Sequence, residues 1–509
     1  MQIIDLAEGL DYINEAMTAP SAGKAWGLAA FWAIAFVLSF LNLSGFLMND
    51  DEGTYLYAAW RTSLGEVPYR DFAIVQTPLF FYLGAAVFKI SEPAVWPARA
   101  LSVLFILGTA FLIYSAARRF LKMEIGYALA AAGIFLFNKH VFFLGRSFMP
   151  DVPMIFFGAA ALYFALRGEE SGIAAKPART IAGLAGLMAG LSTLAKLNGV
   201  LVLAGYMAYL LYKAVVEKPS RRETAAKAVW SGLGFLLAFV LPFGLLLIFV
   251  PGTYDAVIGF HAAKEASSGF AYGILVLRRL GQTVGNHNYA IAAGALAAFV
   301  FGRLRTKASE RRSRTTALLW ILTAAALVLL FLPSRFFIRY AVYAAVPAAL
   351  LFGDGLRKLV KNRPVGRFIL PGLAVLVLLC LGPTLSPKRI LARDKGTRAA
   401  VAFIRENTGP EDYVFGDDPF LNFLARRPCP PKLVDVSEAM ITSGRISAAV
   451  IREECDRLAV KMVFVETGAS AHHLAKLPDF AAFRNNLLDR YRPAGTIRRE
   501  FLDVEFFLR

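Results

Sequence analysis

The feature that most constrains this chain is a series of apolar blocks, each roughly 17–25 residues long, the length at which a helix spans ~30 Å of hydrocarbon. Of the 509 residues, 57% are hydrophobic and only 18% are charged. A soluble protein of this size needs more polar surface, because folding never hides all of its residues. The chain therefore reads as a mainly α-helical, polytopic membrane protein.

Eleven spans are expected, near 25–48, 99–117, 125–143, 152–166, 181–195, 199–212, 228–250, 289–301, 316–332, 337–352 and 368–385. Every even-numbered span exits into basic residues: Arg118, Arg119 and Lys122 after the second, Arg167, Lys176 and Arg179 after the fourth, Lys213 and Lys227 around the next such loop. The same holds for Arg303 to Arg314 and for Arg357 to Arg367. Short basic loops stay on the cytoplasmic side. The expected arrangement is a multi-pass protein of the cytoplasmic (inner) membrane, N-terminus inside and C-terminal tail outside. The net charge of +18 then faces anionic headgroups, which argues against a nucleic-acid partner. No cleavable signal peptide is evident ahead of the first block.

Two external regions are long, 49–98 and 251–288. The first contains Tyr55-Leu56-Tyr57-Ala58-Ala59-Trp60, which suits a helix lying at the membrane interface, and a proline-punctuated stretch from Pro68 to Pro78. Residues 1–387 are expected to form the membrane module and 388–509 a small extracytoplasmic α/β domain. In that tail, helical patterns (Thr397–Asn407, Ile446–Leu458, Phe480–Tyr491) alternate with short apolar strands at Tyr413–Phe415 and Met462–Val465. An external tail permits Cys429 and Cys455 to pair. The chain has no CxxC or zinc-type spacing.

The acidic run Asp50-Asp51-Glu52 follows the first span directly. Adjacent carboxylates at a membrane surface repel each other and lose hydration, which favours a proton-accepting role for one of them. The plainer alternative is that they mark the polar end of the span. A second acid, Asp151, stands in Arg146-Ser147-Phe148-Met149-Pro150-Asp151. Pro150-Asp151-Val152-Pro153 is also a good helix start, so Asp151 caps a helix, serves chemistry, or does both.

The stretch DEGTYLYAAWRTSLGEVPYRDFAIVQTPLFFYL resembles the first external loop of bacterial membrane glycosyltransferases of the GT-C fold, relatives of the protein O-mannosyltransferases and the lipid A aminoarabinose transferase. The resemblance extends to the Asp151 segment, the alternating spans and the external tail. It implies inverting transfer of a sugar from a polyprenyl-phosphate donor to an acceptor hydroxyl on a glycan, lipid or protein. A first-loop acid would be the general base. Carried over by position, that acid is Asp51, with Asp50 one residue away, and the second-loop acid is Asp151. Relatives often carry Lys-Pro-Pro-Leu where this chain has Gln76-Thr77-Pro78-Leu79.

Such a reaction needs a base for the acceptor hydroxyl and cations for the departing phosphate. External cations are Arg61, Arg146, Lys196, His261, Lys264, Arg278, Arg279, Arg335 and Arg339. Lys196 closes the fifth span and either snorkels or binds phosphate. Arg335 and Arg339 share a helix face, and Arg339-Tyr340 resembles a family position near the lipid-phosphate pocket. His261 and Lys264 either form a lid or lie on a solvated loop. Glu52, Tyr55, Arg61, Tyr69, Asp71 and Arg146 complete the expected substrate-binding set, with Tyr55, Trp60 and Tyr69 available to stack on sugar rings. No cofactor is expected. An oxygen-rich cation site at Asp51 and Asp151 is the minority reading. The rival class is a transporter or flippase of lipid-linked sugars, which would carry mid-span charges and paired repeats. A second rival is a non-catalytic anchor for the tail.

Overall fold

A computed structural model describes residues 22–45, 51–170, 173–216, 221–260, 310–328, 338–360, 395–417, 419–468, 473–499 and 502–509, with three single positions between 274 and 278. The expected spans at 289–301 and 368–385 lie outside the described residues, as do Asp50, His261, Lys264, Arg279 and Arg335.

The membrane part runs α1 (Ala22–Phe40), α2 (Glu52–Ser63), α3 (Leu79–Ile90), α4 (Val95–Arg119), α5 (Ile125–Leu136), α6 (Lys139–Gly145), α7 (Asp151–Arg167), α8 (Ala175–Ala195), α9 (Val200–Val216), α10 (Arg221–Phe249), α11 (Glu310–Leu327) and α12 (Ala345–Val360). By length and composition, four described helices are fit to cross a membrane, and five if α5 and α6, bent by 69° at Asn138, make one broken span. The expected count of eleven is therefore not reached among the described residues. Shorter helices occupy the positions of the first, fourth, ninth and tenth expected spans. The side chain of Asn138 accepts from the amides of His140 and Val141 and so caps the second arm of the bend. In α10 a π-helical turn at Leu236–Val240 stands just before Pro242, which has no amide to donate.

Close helix contact depends on glycine where α8 meets α10. A Cβ on Gly186 would lie 1.8 Å from the Ser231 carbonyl oxygen, and one on Gly234 would lie 2.1 Å from that of Gly183. Small residues let membrane helices approach until dispersion and backbone contacts hold them.

The ion pairs of the bundle gather at its two ends. At one end Glu169 accepts from Lys213, from Lys227 at 3.0 Å and from the Tyr209 hydroxyl at 3.2 Å. Arg119 pairs with Glu170 at 2.8 Å nearby, and Arg357 donates to the Leu121 and Lys122 carbonyls. These are the basic exits that the charge pattern assigns to the cytoplasm. The other end carries Asp51, Asp151 and Lys196.

The tail folds as α13 (Lys395–Asn407), β1 (Val414–Gly416), α14 (Pro419–Ala425), α15 (Glu438–Thr442), α16 (Ala448–Arg457), β2 (Met462–Thr467), α17 (Phe480–Arg490), β3 (Arg492–Arg498) and β4 (Asp503–Leu508). The sheet order is β1-β2-β4-β3, with β1 parallel to β2 and β4 antiparallel to both its neighbours. One face forms a small core around Ile404, Leu421, Phe464 and Phe506. Other tail residues, including Phe423, Cys429 and Ile451, join the large core that also holds α2 and α3.

Cys429 and Cys455 are buried as free thiols, so the disulfide that an external tail would permit is not formed. Burial pushes the Cys455 thiol up to about 12 and raises Cys429 as well. A thiol held protonated is a poor nucleophile. Both cysteines are expected to resist maleimide at pH 8 in the folded protein and to react after denaturation without reductant. Mass spectrometry of the labelled chain reads the difference.

Candidate active site

Asp51 sits half-buried at the N-terminal end of α2, in the cap position. The next residue, Glu52, fixes that end. Its carboxylate forms a two-pronged pair with Arg99, Nε to Oε1 at 2.7 Å and Nη2 to Oε2 at 2.8 Å. The Phe148 amide donates to the same carboxylate at 2.7 Å, and Arg99 Nη1 donates to the Leu43 carbonyl at 2.6 Å. Both side chains are at most 1% exposed. Four segments meet here: the turn after α1, the start of α2, the start of α4, and the loop leading to Asp151. Glu52, expected at the substrate, is instead buried in this ion pair beside Asp51.

Arg146 has a comparable task. Its guanidinium donates to the carbonyls of Leu38 and Ser39 at 2.6 and 3.1 Å, and to that of Leu41. Those carbonyls lie at and just past the C-terminal end of α1, where a cation complements the helix dipole.

Asp151 opens α7 and is fully buried. Lys196, just past α8, donates to its Oδ1 at 2.8 Å. The Tyr343 hydroxyl donates to the same oxygen. Lys196 Nζ also lies 5.8 Å from the Tyr340 ring centroid and 5.9 Å from that of Tyr343. The two tyrosines belong to the 3-10 helix Ile338–Ala344, where residues three apart eclipse on one face. Arg339 lies on the same short helix. The structure thus brings Asp151, Lys196 and Tyr340 together and adds Tyr343, which the sequence reading missed.

Tyr343 also lines an apolar cavity inside the bundle. Its wall follows α7 through Met154, Ile155, Gly158 and Leu162, faced by Val202 and Leu322. Gly158 keeps it open, because a Cβ there would stand 3.2 Å from Val202.

The remaining first-loop candidates serve the loop itself. Arg61 pairs with Glu66 and lies 5.2 Å over the Trp60 ring. Asp71 accepts from the Val67 amide at 2.8 Å and pairs with Arg70, which holds its carboxyl below the usual range. Tyr69 has φ 73°, and its hydroxyl donates to the Gln76 carbonyl at 2.5 Å. Tyr55, Trp60 and Tyr69 are at most 9% exposed, packed into the core. The α2 helix is therefore a buried strut rather than one floating at the membrane interface, and its rings are not open to stack on sugars. Among the described residues, no three His, Cys, Asp or Glu side chains converge as a metal site.

Residues 75–245 match the family model described as dolichyl-phosphate-mannose-protein mannosyltransferase. The fold matches ArnT from Cupriavidus metallidurans in its apo state, at 16% identity over 96% of this chain and 98% of that one, with a TM-score of 0.70. It also matches ArnT of that organism bound to undecaprenyl phosphate, at 17% identity over 95% and 98%, with a TM-score of 0.72. The archaeal oligosaccharyltransferase AglB from Archaeoglobus fulgidus, in complex with an inhibitory peptide and a dolichol-phosphate, is similar at 15% identity over 87% and 70%, with a TM-score of 0.56. No curated protein sequence matches the chain. The chain has the GT-C fold of membrane glycosyltransferases. By fold and family model together the chain resembles glycosyltransferases.

Proposed function

We propose that the protein moves a sugar from a polyprenyl-phosphate donor to an acceptor hydroxyl at the extracytoplasmic face, with inversion at the anomeric carbon. The observation that carries this reading is the Asp151–Lys196–Tyr343 cluster, joined through Tyr343 to an apolar cavity, on the same end of the bundle as Asp51. A lipid phosphate needs both parts: a hole for its hydrocarbon and a cation for its headgroup.

Asp51 takes the proton of the acceptor hydroxyl. The hydroxyl oxygen forms a bond to the anomeric carbon from the face opposite the phosphate. The bond from that carbon to the phosphate oxygen breaks, and polyprenyl phosphate leaves with the electron pair. Lys196 stabilises the growing charge, because a cation in a water-poor site acts strongly on charge that develops there. Asp151 and the two tyrosine rings hold Lys196 in place between turnovers. Arg339 stands on the same short helix and is the second phosphate contact. The acceptor is a glycan, lipid or protein approaching from outside, and a divalent cation is an outcome for a chelator to decide.

The test is release of free polyprenyl phosphate. Purified protein in nanodiscs is given undecaprenyl-phosphate mannose or undecaprenyl-phosphate aminoarabinose, labelled in the lipid, with an outer-membrane lipid and glycan extract as acceptor. Time-dependent release of undecaprenyl phosphate supports the reading. Translocation of the intact lipid-linked sugar without release would favour the flippase instead.

A further inference from the structure

The proposed chemistry leaves the tail without a part, yet the tail grips the strut that carries Asp51. Just beyond α14, the guanidinium of Arg426 lies 5.5 Å over the Trp60 ring and 4.8 Å over the Phe423 ring. It donates to the Phe423 carbonyl at 3.0 Å and to the Pro93 carbonyl. The Cys429 amide donates to the Tyr57 hydroxyl at 2.7 Å, and the Ala73 amide donates to the Pro431 carbonyl at 2.8 Å. Phe423 also stacks on Phe88 at 5.8 Å and meets Trp60 edge-on at 6.4 Å.

Helix α2 is therefore held at both ends. Arg99 and the Phe148 amide hold Glu52, and the tail holds Tyr57 and Trp60. A helix of 12 residues is ~18 Å long and moves as a rod. The Glu52 pair holds the near end as a pivot, and the far end sets the tilt of the rod and with it where Asp51 points. Arg426 sustains this contact from a costly backbone: its φ is 58°, a region that favours glycine.

We propose that the tail segment Phe423–Pro431 is a clamp that positions Asp51 through α2, with Arg426 as the positioning residue. The inference rests on Asp51 as the base. A base must meet the acceptor hydroxyl within a few tenths of an ångström, so a released rod slows the reaction without weakening donor binding.

Arg426→Gly separates this from a merely structural role, because glycine fits the backbone and removes only the Arg426 contacts of the clamp, to Trp60, Phe423 and Pro93. The full-length protein in nanodiscs is assayed with undecaprenyl-phosphate mannose, and amide exchange is followed across residues 52–63 and 95–119. The expected result is a fall in kcat of at least about ten-fold, with KM within about two-fold. The thermal midpoint stays level or rises. Exchange across residues 52–63 quickens about ten-fold while 95–119 keeps its protection. Unchanged exchange across 52–63 would overturn the clamp, and so would quickened exchange with kcat intact. If the wild type does not turn over the donor, the proposed function fails on that result, and the exchange comparison alone decides whether the clamp exists.

Discussion

Replacing Glu52 or Arg99 by alanine is expected to cost the folded protein about 3–5 kcal/mol, the penalty for leaving one member of a buried pair uncompensated. Whole proteins are stable by only about 5–15 kcal/mol, so either variant is expected to lose its monodisperse peak in detergent and most of its expression. The reason is local. Glu52 accepts three charge-assisted or buried hydrogen bonds, from two guanidinium nitrogens and the Phe148 amide, and its side chain is fully buried. Arg99 in turn satisfies the Leu43 carbonyl. The double variant Glu52→Gln with Arg99→Met removes both charges together. It is expected to recover most of the lost thermal midpoint, because paired apolar or neutral replacements of a buried ion pair are often near neutral. Single variants as stable as wild type would contradict this account of the site's scaffold.

The second large effect lies at Lys196. Lys196→Met strands the buried Asp151 carboxylate and is expected to destabilise by about 3–5 kcal/mol. It also removes the cation for the departing phosphate. Adding Asp151→Asn is expected to restore the fold, since neither charge is then buried alone. It is not expected to restore transfer: kcat/KM should stay about 10²–10³-fold below wild type, the usual cost of losing one group that stabilises developing charge. Thermal unfolding and donor turnover of the three proteins separate the two roles. A double variant with wild-type turnover would remove Lys196 from the chemistry.

The ease of reading this chain varied with how far each signal was local. Apolar blocks and basic exits are properties of one segment each, and helices α4, α8, α9 and α10 lie where those blocks predict. Helix α3 was hidden because Pro68, Pro78 and the surrounding aromatics look like loop, while Leu79–Ile90 is only twelve residues long. Strand β3 was hidden because Arg492–Arg498 is largely exposed and bulged at Gly495, so it lacks the apolar alternation that marks a strand. In the site, Asp151 and Lys196 were legible as charges at span ends. That they form one pair is a contact between residues 45 apart in sequence. Arg99 carried a usable signal, an ionisable residue at the start of an apolar span, but its partner Glu52 lies 47 residues away. Tyr343 carried none beyond standing three residues after Tyr340. The first-loop rings read as exposed because sequence does not say that Tyr55 packs on Phe80 and Phe81 or that the tail covers Trp60.

The central claim is that Asp51 accepts the proton of the attacking hydroxyl. Asp51→Asn keeps shape and removes the base, and Asp50→Asn controls for the adjacent acid. With undecaprenyl-phosphate sugar in nanodiscs, Asp51→Asn is expected to lower kcat by about 10²–10⁴-fold, the range that general-base catalysis supplies, while donor affinity stays within about three-fold. Asp50→Asn should turn over as wild type does. Near-normal transfer by Asp51→Asn, or a collapse confined to Asp50→Asn, would contradict the assignment.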